Sequence, residues 1–216
     1  MALLLASYGT REILLYGLLW TILAAGAWIL FPPLVALPIL GLLFTLYFFR
    51  DPVRRPPRSP DLLVAPADGT VVEISTTHEG EFIKEEALKI GIFLSVFNVH
   101  VNRAPCSGVV RAIRYTPGRF RDARTPDCGK VNEQNAIHID GPVPVVVTQI
   151  AGAIARRIVC AIHENEQLEA GQRIGMIKFG SRTDLYIPKT RLGDLNIKLG
   201  DRVKGGETVL ARIARS

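Results

Sequence analysis

Between Ile13 and Phe31 the chain carries no charged side chain, and only Tyr16, Gly17, Thr21 and Gly26 interrupt its apolar character. A helix of that length reaches across the hydrocarbon core of a bilayer. Pro32-Pro33 stops it, and a second charge-free run, Leu34 to Phe49, follows. Arg11 flanks the first run; Arg50, Arg54, Arg55 and Arg58 follow the second. Basic residues at both outer ends predict a membrane-associated helical hairpin over residues 1–50, with both ends on the cytoplasmic side. A cleaved export signal fits poorly, because the apolar stretch is too long and a second one follows it. The alternative of two buried core helices stays beside the hairpin, since neither run shows a polar face.

Residues 51–61 are rich in proline and arginine and read as a stiff, exposed linker. From Leu62 the pattern changes. Short apolar runs recur at Thr70–Ile74, Ile90–Val101, Gly108–Tyr115, Val143–Ile150, Ile158–Ile162, Gly175–Phe179, Leu185–Ile187 and Val209–Ile213, separated by Gly, Pro and Asp-Gly turns. The expected fold is mainly β: the hydrophobic helical hairpin, then a β-rich domain over 62–216 of sandwich or barrel type. Ile150–Arg157 reads equally as a short helix or a strand end. A weak internal repeat relates Leu168–Ile177 to Val203–Arg212. Pro66–Val72 and Leu199–Val209 also look like the opening and closing strands of a biotinyl/lipoyl-type hammerhead, a likeness that concerns fold alone.

The net charge of +6 favours anionic partners, either nucleic acid or acidic lipid. There is no zinc-finger spacing, RNP-like strand or basic helix, so nucleic acid finds little support. The three cysteines, Cys106, Cys128 and Cys160, form no CxxC and fit a reducing compartment as inert thiols. The four histidines lack the close spacing of a metal site, so no metal is expected.

Three segments carry candidate chemistry. In Ile177-Lys178-Phe179-Gly180-Ser181-Arg182 a Gly-Ser bond lies between two apolar runs, in the pattern of strand, tight turn, strand. A hairpin turn is the bland reading. A strained turn with a base nearby would instead let the Ser181 hydroxyl attack the Gly180 carbonyl. Asp68, in Pro66-Ala67-Asp68-Gly69, is either an Asx turn or a carboxylate that orients a histidine. His100 sits among Asn98, Asn102 and Arg103 at the end of an apolar strand, where a break in pattern marks a place to look for a site. Asp68, His100 and Ser181 are the members of a possible carboxylate–imidazole–hydroxyl relay. Asn132-Glu133-Gln134-Asn135 is a polar cluster, by default a solvated loop. Arg156-Arg157, inside an apolar stretch, is either a surface pair or an anion clamp.

Taken together, Phe48-Phe49-Arg50-Asp51-Pro52, Pro66–Gly69, Asn98–Pro105, Asn132-Glu133, Gln149–Gly152 with Ala155–Ile158, and Gly175–Arg182 resemble the phosphatidylserine decarboxylase family, in its short, archaeal-type branch. The resemblance implies a proenzyme that cleaves itself between Gly180 and Ser181. A larger β chain (1–180) and a smaller α chain (181–216) would remain together as a heterodimer, with further dimerisation left open. Ser181 would become a pyruvoyl group, the covalent cofactor. Through a Schiff base with that group, phosphatidylserine would yield phosphatidylethanolamine and CO2 at the cytoplasmic face of the cell membrane. The resemblance also implies His100 and Asp68 as processing machinery, His100 as proton donor to the product, and Arg103, Arg156 or Arg157 as partners of the substrate's anionic groups.

Two rivals remain. A non-catalytic, membrane-anchored β domain that binds partners would stay one intact chain. A metallopeptidase is disfavoured by the missing HxH.

Overall fold

The computed structural model describes residues 4–125, 127–153, 157–178 and 180–214. The chain forms two compact units, Met1–Val53 and Arg54–Ser216.

In the first unit, α1 (Thr10–Leu30) and α2 (Ala36–Phe48) are joined by Phe31 in extended conformation and a 3-10 turn at Pro32–Val35. No residue of α1 is buried. The helical segment Ser7–Leu30 has a mean hydropathy of 2.1, long and apolar enough to cross a bilayer. Trp20 Nε1 donates to Thr45 Oγ1 at 3.1 Å, tying the two helices together. The ends of the hairpin are clasped as well: Ala6 N donates to Phe49 O (2.8 Å) and Asp51 N to Leu4 O (2.6 Å). Both ends therefore lie on one side, as a re-entrant or twice-crossing apolar hairpin requires.

Among its described residues the second unit is β, apart from one short α-helix and a 3-10 turn at Lys189–Arg191. In chain order its strands are β1 (Leu62–Val64), β2 (Gly69–Glu79), β3 (Glu85–Leu94), β4 (Val101–Arg103), β5 (Gly108–Thr116), β6 (Gln134–Asp140) and β7 (Pro144–Ile150). They continue as β8 (Ile158–Cys160), β9 (Gln167–Leu168), β10 (Arg173–Ile177), β11 (Ser181–Pro188), β12 (Leu192–Leu195), β13 (Arg202–Val203) and β14 (Val209–Ile213). The helix, α3, is Cys128–Val131. An eight-stranded antiparallel sheet runs β13-β2-β3-β11-β7-β6-β5-β9, beside two three-stranded sheets, β1-β14-β12 and β4-β10-β8.

Alternation along the central strands builds the core. Ile90, Ile92 and Leu94 of β3, Leu185 and Ile187 of β11, Val145 and Val147 of β7, and Ile137 and Ile139 of β6 are all fully buried in one cluster. Each contributes about 1.5–3 kcal/mol by leaving water. The intervening residues Arg182, Asp184 and Lys89 project from the opposite face. The two stretches read as opening and closing strands lie side by side: Arg202 pairs with Thr70 and Val203 with Gly69.

Three local features depart from the sequence reading. β6 begins inside the polar cluster expected as a loop, and Asn132 and Asn135 there are 1% and 3% exposed. β7 ends at Ile150, and residues 151–153 form neither helix nor strand; Ile154, Ala155 and Arg156 lie outside the described residues. The Gly180-Ser181 turn does not close a hairpin. β10 pairs with β4 and β8, whereas β11 pairs with β3 and β7, so the chain changes sheets there.

Candidate active site

Ser181 opens β11 opposite Leu94, the last residue of β3. One row further in, Arg182 faces Phe93, and Phe93 faces Thr70 of β2. Asp68 therefore lies just outside the sheet at the end where Ser181 enters it. β3 leaves at the same end through a tight turn, in which Asn98 Oδ1 accepts from Ser95 N (2.9 Å) and Ser95 Oγ (2.7 Å). The chain returns as β4, with His100 O accepting from Ile177 N at 3.3 Å. Register thus brings the ends of β3 and β10 together with the starts of β2, β4 and β11. The segments carrying Asp68, His100 and Ser181 thus lie at the same end of the large sheet.

Ser181 is fully buried, and its Oγ has no hydrogen-bond partner among the described residues. A buried hydroxyl left so is costly unless it has work to do. Gly180, before it, has φ +48, in the left-handed region that favours glycine. Its carbonyl lies against Gly152: a Cβ built on Gly152 would overlap the Gly180 oxygen and lie 3.0 Å from the carbonyl carbon. Gly152 is itself held in place. Ala151 N donates to Glu133 O (2.9 Å), and Asn132 Nδ2 donates to Ala151 O (2.8 Å) and Arg121 O (2.8 Å). Glycine at 152 thus leaves room for the Gly180 carbonyl, and Asn132-Glu133 holds the segment that carries Gly152.

His100 is fully buried, with Nδ1 3.0 Å from Asn98 O. A carbonyl only accepts, so Nδ1 carries the proton and Nε2 is the basic nitrogen. Asp68 is 9% exposed. It receives Arg54 Nη2 on both oxygens (2.9 and 2.7 Å) and Gly205 N on Oδ1 (2.7 Å). Arg103 is 5% exposed and donates from Nη1 to Gly171 O at 3.0 Å. Arg157 is exposed and accepts from Lys178 N at 3.2 Å through its carbonyl. Arg156 lies outside the described residues.

Sequence reasoning missed two polar networks. On the core face, Asn135 Nδ2 donates to Gln149 Oε1 (3.1 Å), Gln149 Nε2 to Asn102 Oδ1 (2.9 Å), and Asn102 Nδ2 to Thr183 Oγ1 (2.9 Å). On the opposite face Arg182 pairs with Asp184 and Glu73, while Lys89 Nζ lies 3.2 Å from each of those two acids. Burial raises the Glu73 pKa, but hydrogen bonds from Arg182 and Ser75 and the charges of Lys89 and Arg182 outweigh it and hold the group at about 2. Asp184, wholly buried, is pushed up by desolvation against the same cations. The alternation Arg182-Thr183-Asp184 in an otherwise apolar strand was the available signal for both networks.

A cavity of about 320 Å³ reaches Gly180 and is lined by Phe93, Ser95, Val96, Asp122, Ala123, Arg124 and Ala153. Arg124 forms a two-pronged pair with Asp122 at its rim. Among the described residues no group of three or more His, Cys, Asp or Glu is placed to hold a metal ion. Burial pushes the Cys106 thiol up to about 12.

The family model described as phosphatidylserine decarboxylase matches residues 42–211. The chain belongs to the phosphatidylserine decarboxylase family. It is similar to a phosphatidylserine decarboxylase proenzyme of Desulfotalea psychrophila, 47% identical over 81% of this chain and 82% of that protein. A protein of the same name from Geotalea uraniireducens is 41% identical over 95% of both chains, and one from Syntrophus aciditrophicus 43% over 82% and 83%. The matched span of the decarboxylase family thus contains every element that meets at Ser181.

Proposed function

We infer that the protein is a phosphatidylserine decarboxylase that is made as a proenzyme and generates its own pyruvoyl group from Ser181. What supports this most is the pairing of a buried, unpartnered Ser181 hydroxyl with a Gly180 carbonyl packed on Gly152.

In the self-processing step His100 Nε2 takes the Ser181 proton, and Oγ attacks the Gly180 carbonyl carbon. The C–N bond breaks as the nitrogen is protonated, leaving Gly180 esterified to Ser181 Oγ. Removal of the Ser181 α-proton expels the Gly180 carboxylate; water then enters and ammonia leaves, so that 181–216 begins with a pyruvoyl group. Asp68 supplies the negative charge that stabilises the His100 imidazolium. The α chain contributes β11, which lies between β3 and β7 of the β chain, so the two products stay associated as a heterodimer.

The residues present fit such a group: a buried serine follows a glycine of positive φ, and that glycine lines a cavity of about 320 Å³. A pyruvoyl group at position 181 would supply a carbonyl able to take up the serine amine of the lipid and to draw the electrons released with CO2. His100 delivers a proton to the former α-carbon. Phe93, Val96, Ala123 and Ala153 supply apolar wall to the cavity beside Gly180. Arg157, together with Arg103, Arg156 and the rim residue Arg124, offers cationic partners for the carboxylate and phosphate. Residues 1–50 attach the chain to the cytoplasmic face of the cell membrane, in which a diacyl lipid resides, and 62–216 form the catalytic domain.

The test uses detergent-solubilised protein and phosphatidylserine labelled at the serine carboxyl. Release of labelled CO2 with formation of phosphatidylethanolamine, abolished by prior borohydride reduction, is expected. Cleaved protein that releases no CO2 contradicts the substrate assignment.

A further inference from the structure

The stretch after the apolar unit reads in sequence as an exposed linker, yet the Arg54 side chain is only 8% exposed. Its Nη2 spans both oxygens of Asp68, at 2.9 and 2.7 Å. Its Nη1 reaches Glu207 Oε2 at 3.1 Å, and the next backbone amide, Arg55 N, reaches Glu207 Oε1 at 3.3 Å. From the other side Gly205 N donates to Asp68 Oδ1 at 2.7 Å. The turn carrying Gly205 and Glu207 is packed onto the same arginines: a Cβ on Gly206 would lie 2.9 Å from Arg103 Cδ and 3.5 Å from Arg54 Cβ. Asp68 is thus gripped by a side chain from the stretch following Val53 and by a backbone amide from the C-terminal region.

A two-pronged guanidinium–carboxylate pair fixes both the charge and the plane of the carboxylate. Lysine, a point charge on a flexible stem, keeps the charge and loses the plane. Removing the arginine takes away the side chain that spans both oxygens of this largely buried carboxylate and leaves its plane free to turn, which withdraws it from an imidazole that needs it oriented.

We propose that Arg54 is the positioning residue of the processing relay: it holds Asp68 ionised and in the orientation that serves His100 during attack by Ser181. Arg54 touches none of the reacting atoms and acts through Asp68. The proposal rests on the reading of Asp68 as the relay carboxylate, made under Proposed function.

The experiment follows conversion of the full-length chain to its two products after cell-free synthesis in detergent, for wild type, Arg54→Ala, Arg54→Lys and Asp68→Asn. Melting curves of each are recorded alongside. Arg54→Ala is expected to slow conversion by about tenfold or more, far below its melting transition, and Arg54→Lys by less. Millimolar methylguanidinium should speed Arg54→Ala and leave wild type and Asp68→Asn unchanged, a rescue that a merely structural ion pair would not show. If Asp68→Asn stalls while Arg54→Ala converts at the wild-type rate, the proposal is overturned and the relay reading stands. If Asp68→Asn itself converts at the wild-type rate, the relay reading falls and takes the proposal with it. Should Arg54→Ala fail to fold, Arg54→Lys decides: conversion at the wild-type rate overturns the proposal, and slowed conversion with an intact melting transition upholds it.

Discussion

Gly152 lies so close to the Gly180 carbonyl that any side chain at 152 would collide with it: a Cβ there overlaps the oxygen and approaches the carbon to 3.0 Å. The two residues come from different segments, one just after β7 and the other just before β11. Their contact fixes where the Gly180 carbonyl points, the carbonyl that the proposed processing step would have the Ser181 hydroxyl attack.

Gly152→Ala therefore has a specific expected outcome. The methyl group displaces the Gly180 carbonyl, and a shift of about 1 Å at a reacting centre costs on the order of a hundredfold in rate. The variant should fold, shown by a cooperative melting transition, and accumulate as uncut chain on a denaturing gel. Cleavage at the wild-type rate would show that the contact does not govern the carbonyl.

Asn132 acts one step behind Gly152. Asn132→Ala removes the donors to Ala151 O and Arg121 O and the acceptor of Arg121 N. With the buried Ala151 carbonyl unpaired, a loss of about 1–3 kcal/mol is expected. Processing should slow by less than in Gly152→Ala, because the segment is loosened and not blocked. Chemical denaturation and a time course of cleavage check the two parts separately.

The charge network behind the strand predicts a pH signature. Glu73 titrates at about 2 in the fold, against 4.5 ordinarily, so the folded state favours its ionised form. The stability this supplies is present above about pH 4.5 and is lost as the pH falls toward 2. Glu73→Gln should be less stable than wild type by about 1–3 kcal/mol at neutral pH. The gap in melting temperature between the two should close as the pH is lowered from 4.5 to 2. A gap independent of pH would mean that Glu73 contributes through packing and not charge.

Gly91 is the space Arg182 needs. A Cβ there would overlap the guanidinium, with Cζ at 2.7 Å. Gly91→Ala should expel Arg182 from its pairs with Asp184 and Glu73 and leave Asp184, fully buried, without its strongest partner. Breaking a buried pair in this way costs about 3–5 kcal/mol. Thermal denaturation of Gly91→Ala beside Glu73→Gln should rank the first as the larger loss.

How legible all this was in the sequence depends on distance along the chain. The apolar runs Ile13–Phe31 and Leu34–Phe49 and the alternation of β3 and β11 are local patterns, and they appear as α1, α2 and buried strand faces. Ser181, His100 and Asp68 stood out because polar residues break apolar patterns at strand ends. Gly152 is one of nineteen glycines, and nothing within its own segment announces that a carbonyl from residue 180 will rest on it. The Glu73–Lys89–Arg182–Asp184 network draws on β2, β3 and β11, which become neighbours only through sheet pairing. Arg54 was misjudged for a related reason. Proline-rich, basic stretches usually stay in solvent, and the carboxylates that draw it in, Asp68 and Glu207, lie elsewhere in the chain.

The central claim is that Ser181 attacks Gly180 and becomes the head of a new chain. Intact-mass measurement of the purified wild type beside Ser181→Ala tests it most directly. Wild type should give two chains, divided between Gly180 and Ser181, the smaller with a blocked N-terminus that borohydride reduces, and Ser181→Ala one uncut chain. A single uncut wild-type chain that is fully folded would contradict it and leave a membrane-attached binding domain in its place.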